Sequence, residues 1–245
     1  MICSNTLSKA SVSVCLPTFN GASYIGAQLQ SILISPLVTE ILVSDDGSTD
    51  DTVDIVRSFN DKRIRLIKGP CTGLVNNYEF LLSLASGEYI FLADQDDVWL
   101  PNKVEVMLVH LHDVDMVVCD CIVVDGQLNM LHSSFFALIN SKSGVMRNLL
   151  RNHYLGCCIA LRRRVLKHAL PFPAHLPVHD WWLGLVADFF GGVAFINQPL
   201  MMYRRHGANA SPTSERSSVA WTKRIYWRVN LLVSLIGRKF KFCNE

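Results

Sequence analysis

The sequence predicts an α/β domain with a mostly parallel central sheet and helices on both faces. Three observations predict it. Strand-like and helix-like segments alternate over the first 125 residues. The strand-like runs are almost continuously apolar, as strands covered on both faces must be. And the chain, 245 residues long and 50% hydrophobic, carries enough apolar mass for one sizeable core.

The elements follow in order. Val12–Leu16 is a short β-branched run broken by Pro17. Ile25, Leu29, Ile32 and Leu33 then recur at helical spacing, an amphipathic stripe. Glu40–Ser44 reads as a buried strand. Ser48, with Asp51 three residues on, resembles a capping box opening a helix whose Val53, Val56 and Phe59 face inward. Arg63–Ile67 is a third strand, Asn76–Ala85 a helix ended by Gly87, and Glu88–Ala93 a fourth strand. Pro101 suits the first turn of the next helix, and Met116–Val124 is a fifth strand. Residues 126–155 show no clear beat. Cys157–Leu161 reads as a strand. A Pro-rich loop leads to His179-Asp180-Trp181-Trp182 and an apolar helix, and Val193–Ile196 and Leu200–Tyr203 read as two strands.

Composition excludes several classes. The formal charge is +2, so wholesale nucleic-acid binding is not indicated. Six Lys/Arg and no Asp/Glu fall within residues 221–241, which leaves the rest of the chain at −4. The eight cysteines (Cys3, Cys15, Cys71, Cys119, Cys121, Cys157, Cys158 and Cys243) form no CxxC pair and sit mostly in apolar runs. They read as reduced, buried thiols in a reducing compartment, and the Asn209-Ala210-Ser211 sequon then reads as accidental. No basic-then-apolar signal opens the sequence, and no apolar run reaches the ~18 residues of a membrane span.

In a parallel sheet, ligands bind beyond the carboxyl ends of the strands. The loops Pro17–Gly21, Asp45–Ser48 and Asp94–Trp99 are therefore the places to look. Asp94-Gln95-Asp96-Asp97 puts three carboxylates within four residues. They repel one another unless a positive charge sits among them, and oxygen ligands suit Mg2+ or Mn2+. The same residues would also make an acidic turn capping the next helix. In Asp45-Asp46-Gly47-Ser48 a carboxylate is offered to a planar base or ribose beside a Gly that lets backbone approach closely. Leu16-Pro17-Thr18-Phe19-Asn20-Gly21 offers amides and a hydroxyl, yet matches neither GxGxxG nor GxxxxGK[ST]. Asp180 is either a general base or a first-turn acid that favours its helix dipole. Tyr203-Arg204-Arg205-His206 is either a diphosphate or metal contact or a solvated loop.

Taken together, VSVCLPTFNG, EILVSDDGSTDDT, GEYIFLADQDDVWLPNK, HDWW and YRRHGANAS resemble a family 2 glycosyltransferase of GT-A fold, over residues 12 to about 211. DDGSTDDT and DQDDVW resemble bacterial rhamnosyl-, galactosyl- and glucosyltransferases that build O-antigen and capsule. The resemblance implies that Pro17 and Thr18 line the nucleotide pocket and that Asp46 bonds a uracil or thymine base. It implies that Asp94 holds the ribose side and Asp96 ligates Mn2+ or Mg2+. Asp180 would be the catalytic base, with Arg204 and His206 contacting the diphosphate or metal. The QxxRW of processive synthases is absent, which implies one sugar per binding event. The implied reaction is inverting transfer from a UDP- or dTDP-sugar to a saccharide on undecaprenyl diphosphate or a similar lipid. Its implied place is cytoplasmic, at the inner face of the bacterial membrane. A nucleotidyltransferase or a non-catalytic nucleotide-sugar binding module are the rival readings.

The domain reading is a catalytic domain over 1–215, with a nucleotide-binding half (12–125) and an acceptor-side half (126–215), and a basic amphipathic tail over 216–245. On a helical wheel Trp221, Ile225, Val229, Leu232, Val233, Leu235, Ile236 and Phe240 gather in one half. That pattern fits an in-plane helix on an anionic membrane surface. A terminal helix packed on protein, or an oligomer contact, fits it equally.

Overall fold

The structure is a computed structural model that describes residues 10–206 and 220–243. Cys3, the Asn209-Ala210-Ser211 sequon and the boundary near residue 215 lie outside the described residues.

Among the described residues, nine strands make one sheet. They are β1 (Val12–Thr18), β2 (Glu40–Asp45), β3 (Ile64–Lys68), β4 (Tyr89–Leu92), β5 (Val98–Trp99), β6 (Met116–Val124), β7 (Met130–His132), β8 (Ile159–Arg162) and β9 (Val193–Arg204). Their spatial order is β3-β2-β1-β4-β8-β6-β9-β5, with β7 beside β6. The helices are α1 (Ile25–Leu33), α2 (Thr52–Ser58), α3 (Leu74–Leu84), α4 (Lys103–Leu111), α5 (Phe135–Ile139), α6 (Val145–Leu150), α7 (Leu166–Ala169), α8 (His179–Phe190) and α9 (Trp221–Cys243).

The α/β expectation holds, and the sheet divides in two. Strands β3-β2-β1-β4 are all parallel, each joined to the next by a helical crossover. Beyond β4 the sheet is mixed: β8 runs antiparallel to both β4 and β6, while β9 is parallel to β6 and antiparallel to β5. The first half follows from its apolar runs. Every residue of β1 is buried, and Ile41, Leu42, Val43, Ile90, Phe91 and Leu92 have no exposed surface. Such strands need cover on both faces, and α3 packs on β1 and β2 while α4 packs on β6 and β8.

Several local expectations are corrected. Pro17 does not end β1: it pairs in register with Ser44, and β4 stops opposite Cys15. Pro17 therefore sits where β1 has lost one neighbour, so its missing N–H interrupts no ladder. Ser48 does not cap α2, which begins at Thr52. The Ser48 hydroxyl instead accepts from the Asn20 amide (2.8 Å), and Asp50 accepts from the Thr52 amide (3.1 Å). Pro101 stands two residues ahead of α4 rather than in its first turn. Val193–Ile196 and Leu200–Tyr203 form one strand, β9. Its register shifts as it passes Pro199, so a bulge absorbs the residues that read as a break. Gly156–Cys158 is a 3₁₀ turn before β8. Cys15, Cys119, Cys121, Cys157 and Cys158 are buried as expected, and Cys71 is exposed.

Helix α9 packs on α6 and α8 through Leu231 and Leu235, both fully buried. No helix among the described residues is long and apolar enough to cross a membrane.

At the turn between α3 and β4, a Cβ on Gly87 would sit 2.7 Å from the Ser13 amide and 2.9 Å from the Ser11 carbonyl. Backbone cannot yield as a side chain does. Gly87→Ala is expected to lower stability by roughly 1–3 kcal/mol, the usual cost of overpacking, measured as a shift in the urea unfolding midpoint at unchanged m-value.

Candidate active site

The parallel strands β1, β2 and β4 deliver their following loops to one edge of the sheet. Beyond β4, the Ala93 amide bonds Cys15 O (3.0 Å) and so keeps the chain in line as far as Asp94. The acidic turn Asp94–Asp97 then leads directly into β5. Because β5 pairs with Met201–Met202 of β9, the segment after β9 is set against the turn. This pairing brings His206 to Asp96 across 110 positions of sequence: Nε2 lies 2.8 Å from Asp96 Oδ2.

Each residue of the turn has a distinct partner. The Tyr78 hydroxyl, from α3, donates to Asp94 Oδ1 at 2.7 Å. Gln95 clamps the loop after β1. Its Oε1 accepts from Thr18 Oγ1 (2.6 Å) and the Phe19 amide (3.0 Å), and its Nε2 donates to Phe19 O (3.1 Å). Gly21 leaves room for that side chain, since a Cβ there would meet Gln95 Oε1 at 2.2 Å. Asp97 is fully buried. Its Oδ1 accepts from the Arg204 amide (3.0 Å), and its Oδ2 has no partner.

Arg204 is buried and acts as a brace. Its Nε donates to Asp96 O (2.7 Å) and its Nη1 to Gly126 O (2.6 Å), and its guanidinium lies 4.8 Å from the Tyr24 ring centroid. The sequence reading gave Arg204 to substrate. In the fold its side chain holds the main chain of the acidic turn, because the pairing of β9 with β5 draws it beneath that turn. The His206 ring stacks on Tyr24 at 4.7 Å.

Asp180 approaches from the other side. It is the second residue of α8. Its oxygens accept from Asn152 Nδ2 (3.0 Å) and the Gly156 amide (3.2 Å). Burial pushes its carboxyl up to about 6, against the downward pull of these bonds. Asp94 is raised to about 7, first by burial, then by the charge of Asp96, with Asp180 adding to it. That last contribution places Asp94 and Asp180 in one electrostatic neighbourhood. Asp97 is raised well above the ordinary carboxylate range, by burial and then by the charges of Asp96 and Asp94.

Tyr78 and His179 line the space between these groups. Their rings stack at 3.7 Å. Burial pushes His179 down to about 3, so the ring is neutral, and neither of its nitrogens has a protein partner.

The remaining predicted residues lie at the ends of β1 and β2. Pro17 and Thr18 are buried at the end of β1, and the Thr18 carbonyl accepts from the Asp46 amide (2.8 Å). Asp46 accepts from the amides of Cys71 (2.7 Å) and Gly73 (2.8 Å), so it shapes the loop after β3. Asp45 caps its own turn through the Gly47 and Ser48 amides.

The carboxylates fit a divalent cation. Donor atoms of Asp94, Asp97 and Cys157 lie within 4.8 Å of one another. Asp94 and Asp97 are each raised by burial and by the charge of neighbouring carboxylates, a repulsion that a cation among them would relieve. The sequence reading gave the metal to Asp96; the donor atoms that the fold gathers are those of Asp94, Asp97 and Cys157, while Asp96 Oδ2 faces His206 Nε2. Oxygen donors favour Mg2+ or Mn2+, whereas the Cys157 thiol, held protonated by burial, is a poor ligand for either.

Tyr78, Asn152 and Tyr24 escaped the sequence reading, and Gln95 and His179 were named within their motifs without a role of their own. Tyr78 sits in the apolar stripe of α3 and carries no motif. Gln95 stood in plain view inside the acidic turn, but its clamp depends on a loop 76 positions away.

Residues 13–170 match the family model for Glycosyl transferase family 2. The Escherichia coli UDP-Glc:alpha-D-GlcNAc-diphosphoundecaprenol beta-1,3-glucosyltransferase WfgD is 27% identical over 190 residues, covering 72% of this chain and 70% of its own. The E. coli UDP-Glc:alpha-D-GlcNAc-diphosphoundecaprenol beta-1,3-glucosyltransferase WfaP is 37% identical over 95 residues, 38% of each chain. Among solved structures, S. aureus TarS 1-349 in complex with UDP-GlcNAc gives a TM-score of 0.68 at 19% identity, covering 95% of this chain and 73% of that one. Glucosyl-3-phosphoglycerate synthase from Mycobacterium tuberculosis, in complex with Mn2+, UDP and glucosyl-3-phosphoglycerate, gives 0.57 at 19% identity, covering 96% and 81%. These structural likenesses establish the GT-A fold.

The raised carboxyls set a sign for stability. A carboxyl raised in the fold contributes stability below its unfolded value and loses it as pH rises through the folded one. For Asp94 that window runs from the usual 3.8 to about 7. The melting temperature should therefore fall as pH rises across this range. A cation should restore it more at pH 8 than at pH 5, and Asp94→Asn should flatten both responses. Mn2+ at a hundredfold excess over its Kd is worth about 2.7 kcal/mol, or a rise of roughly 5–10 °C, read by scanning calorimetry.

Proposed function

The chain belongs to glycosyl transferase family 2, and from that premise we propose that it moves one sugar from a UDP- or dTDP-linked donor to a hydroxyl of a lipid-linked saccharide, inverting the anomeric centre. The observation that carries this reading is the bridge between the acidic turn and the Asp180 segment: the Tyr78 hydroxyl donates to Asp94, and its ring stacks on His179, the neighbour of Asp180. Family membership decides for a glycosyltransferase over the nucleotidyltransferase and the binding module. The lipid-linked acceptor and the pyrimidine donor are supported by the similarity to WfgD and WfaP, whose donor is UDP-Glc and whose acceptor is alpha-D-GlcNAc-diphosphoundecaprenol.

The roles follow from placement. Pro17 and Thr18 form the floor of the nucleotide site at the end of β1. Asp46 takes the pyrimidine ring: each of its oxygens accepts one amide and keeps a lone pair for a base N–H. Asp94 faces the ribose. Asp96, with Asp94 and Asp97 beside it and His206 against it, would hold Mn2+ or Mg2+. When bound, that ion neutralises charge growing on the leaving diphosphate. Arg204 keeps the turn in place.

Asp180 does the proton work. The acceptor oxygen attacks the anomeric carbon as the bond to the diphosphate oxygen breaks on the opposite face. The hydroxyl proton passes to Asp180, which Asn152 and the Gly156 amide hold in orientation. A carboxyl raised to about 6 is a stronger base than an exposed one yet still mostly ionised at pH 7. Neutral His179 adds no positive charge that would lower it.

The reading places the enzyme at the inner face of a bacterial membrane, in surface polysaccharide synthesis. Asp180→Asn should lower kcat by ~10²–10⁴ with donor affinity unchanged by calorimetry. Turnover near that of the unmodified enzyme would overturn the assignment. Because Asp180 must be ionised, kcat/KM should fall below about pH 6 with a slope of one, and this limb should vanish in the Asn variant. In a panel of UDP-, dTDP- and GDP-sugars, release of nucleotide diphosphate should need a pyrimidine donor. It should rise with a GlcNAc-diphospho-lipid acceptor and stop in EDTA. Release that EDTA leaves intact would refute metal dependence.

A further inference from the structure

Among the described residues, helix α9 meets the rest of the protein along one side. Leu231 and Leu235 are buried there and Trp227 packs on the core. Three polar side chains pin the same side: Arg228 bonds Leu150 O, Asn230 bonds Ala174 O (2.9 Å) and Arg238 bonds Leu170 O (2.9 Å). The sequence wheel had grouped Leu235 with the outward apolar half; the fold turns it inward.

The opposite side is also apolar. Trp221, Ile225, Val229, Val233, Ile236 and Phe240 are 42–71% exposed and fall within an arc of roughly 120° at 100° per residue. A surface helix ordinarily points its one apolar stripe at the core; α9 has a second, longer stripe pointing away. Helix α6 packs beside it and exposes Met146 and Leu150, which extends the patch.

Charge says what covers this face. Helix α9 has no acidic residue; Lys239 and Arg228 fall at the edge of the outward stripe on the helical wheel, Arg147 and Arg151 stand on and beside α6 at the end of the patch, and Lys223, Arg224 and Arg238 lie toward the packed side. The Arg228 guanidinium donates to the carbonyls of Leu150 and Arg224, which cancel none of its charge. A symmetric dimer through this face would set the same cations against each other. An anionic lipid surface takes both the stripe and the cations.

We propose that the outward stripe of α9, with the exposed end of α6, lies in the plane of an anionic phospholipid surface. Leu150 is two residues from Asn152, which holds Asp180. Docking therefore sets the Asp180 end of the cleft beside the headgroup layer, where the diphosphate of a lipid-linked acceptor is found. This last consequence rests on the proposed function; the docking face does not.

The test is flotation of the full chain with vesicles of phosphatidylglycerol and phosphatidylethanolamine, or of phosphatidylcholine alone. The unmodified protein should float with the anionic vesicles and lose binding on phosphatidylcholine or in high salt. Val229→Glu with Ile236→Glu should cut the bound fraction by about tenfold or more, since it places two anions in the buried arc. Its melting temperature should not change, because both positions are exposed. The pair should slow transfer to a bilayer-embedded acceptor and leave transfer to a water-soluble analogue unaffected. Failure of the unmodified chain to float, equal flotation of the variant, or a solution dimer that the variant splits would each overturn the proposal. Normal flotation with no nucleotide release would instead overturn the acceptor reading and leave the docking face standing.

Discussion

Like charges that cannot escape one another govern this molecule. Asp94, Asp96 and Asp97 crowd one turn at the carboxyl edge of the sheet, with Asp180 adding to the field at Asp94, and burial removes most of the water that would screen them. Much of the surrounding architecture offsets that repulsion. The Tyr78 hydroxyl serves Asp94, His206 serves Asp96, the Arg204 amide serves Asp97, and Asn152 with the Gly156 amide serves Asp180. These partners come from α3, the end of β9 and the turn before β8, so the cleft ties distant parts of the chain together. The compensation is incomplete, and Asp94, Asp97 and Asp180 all hold their protons more tightly than free carboxyls do. A cleft poised in this way favours a divalent cation, and it also keeps one carboxylate basic enough to take a proton.

The geometry depends on two joints of very different size. One is the two-residue strand β5, whose pairing with β9 sets His206 and Arg204 against the acidic turn. The other is Gln95, which ties that turn to the loop after β1 through three hydrogen bonds and needs Gly21 to be small. Together they tie the loop after β1 and the acidic turn into one unit. A side chain between two carboxylates is thus as much a fastener as a spacer.

Much of this was legible from the chain. Continuous apolar runs marked β1, β2, β4 and β6, because a strand covered on both faces has no polar side to show. The acidic turn stood out because three carboxylates in four residues repel one another unless something balances them, and Asp180 through the HDWW segment that helps carry the family resemblance. Boundaries and exceptions were not legible. Pro17 read as a break because its tolerance depends on where β4 stops. Ser48 read as a cap because nothing local announces that its hydroxyl is taken by the Asn20 amide. Strand β9 read as two because a bulge is a property of a pair of strands.

By itself, then, the sequence determined the class of sheet, the edge where chemistry gathers and the kinds of side chain that gather there. These depend on composition and short-range spacing, and burial acts on them one segment at a time. The tertiary structure alone decided which side chains meet. It set Tyr78 between Asp94 and His179, turned Arg204 inward as a brace, and left α9 with one apolar side packed and the other facing out. Each of these is settled by contacts across dozens of positions, and a contact between distant segments has no trace in the local pattern of either.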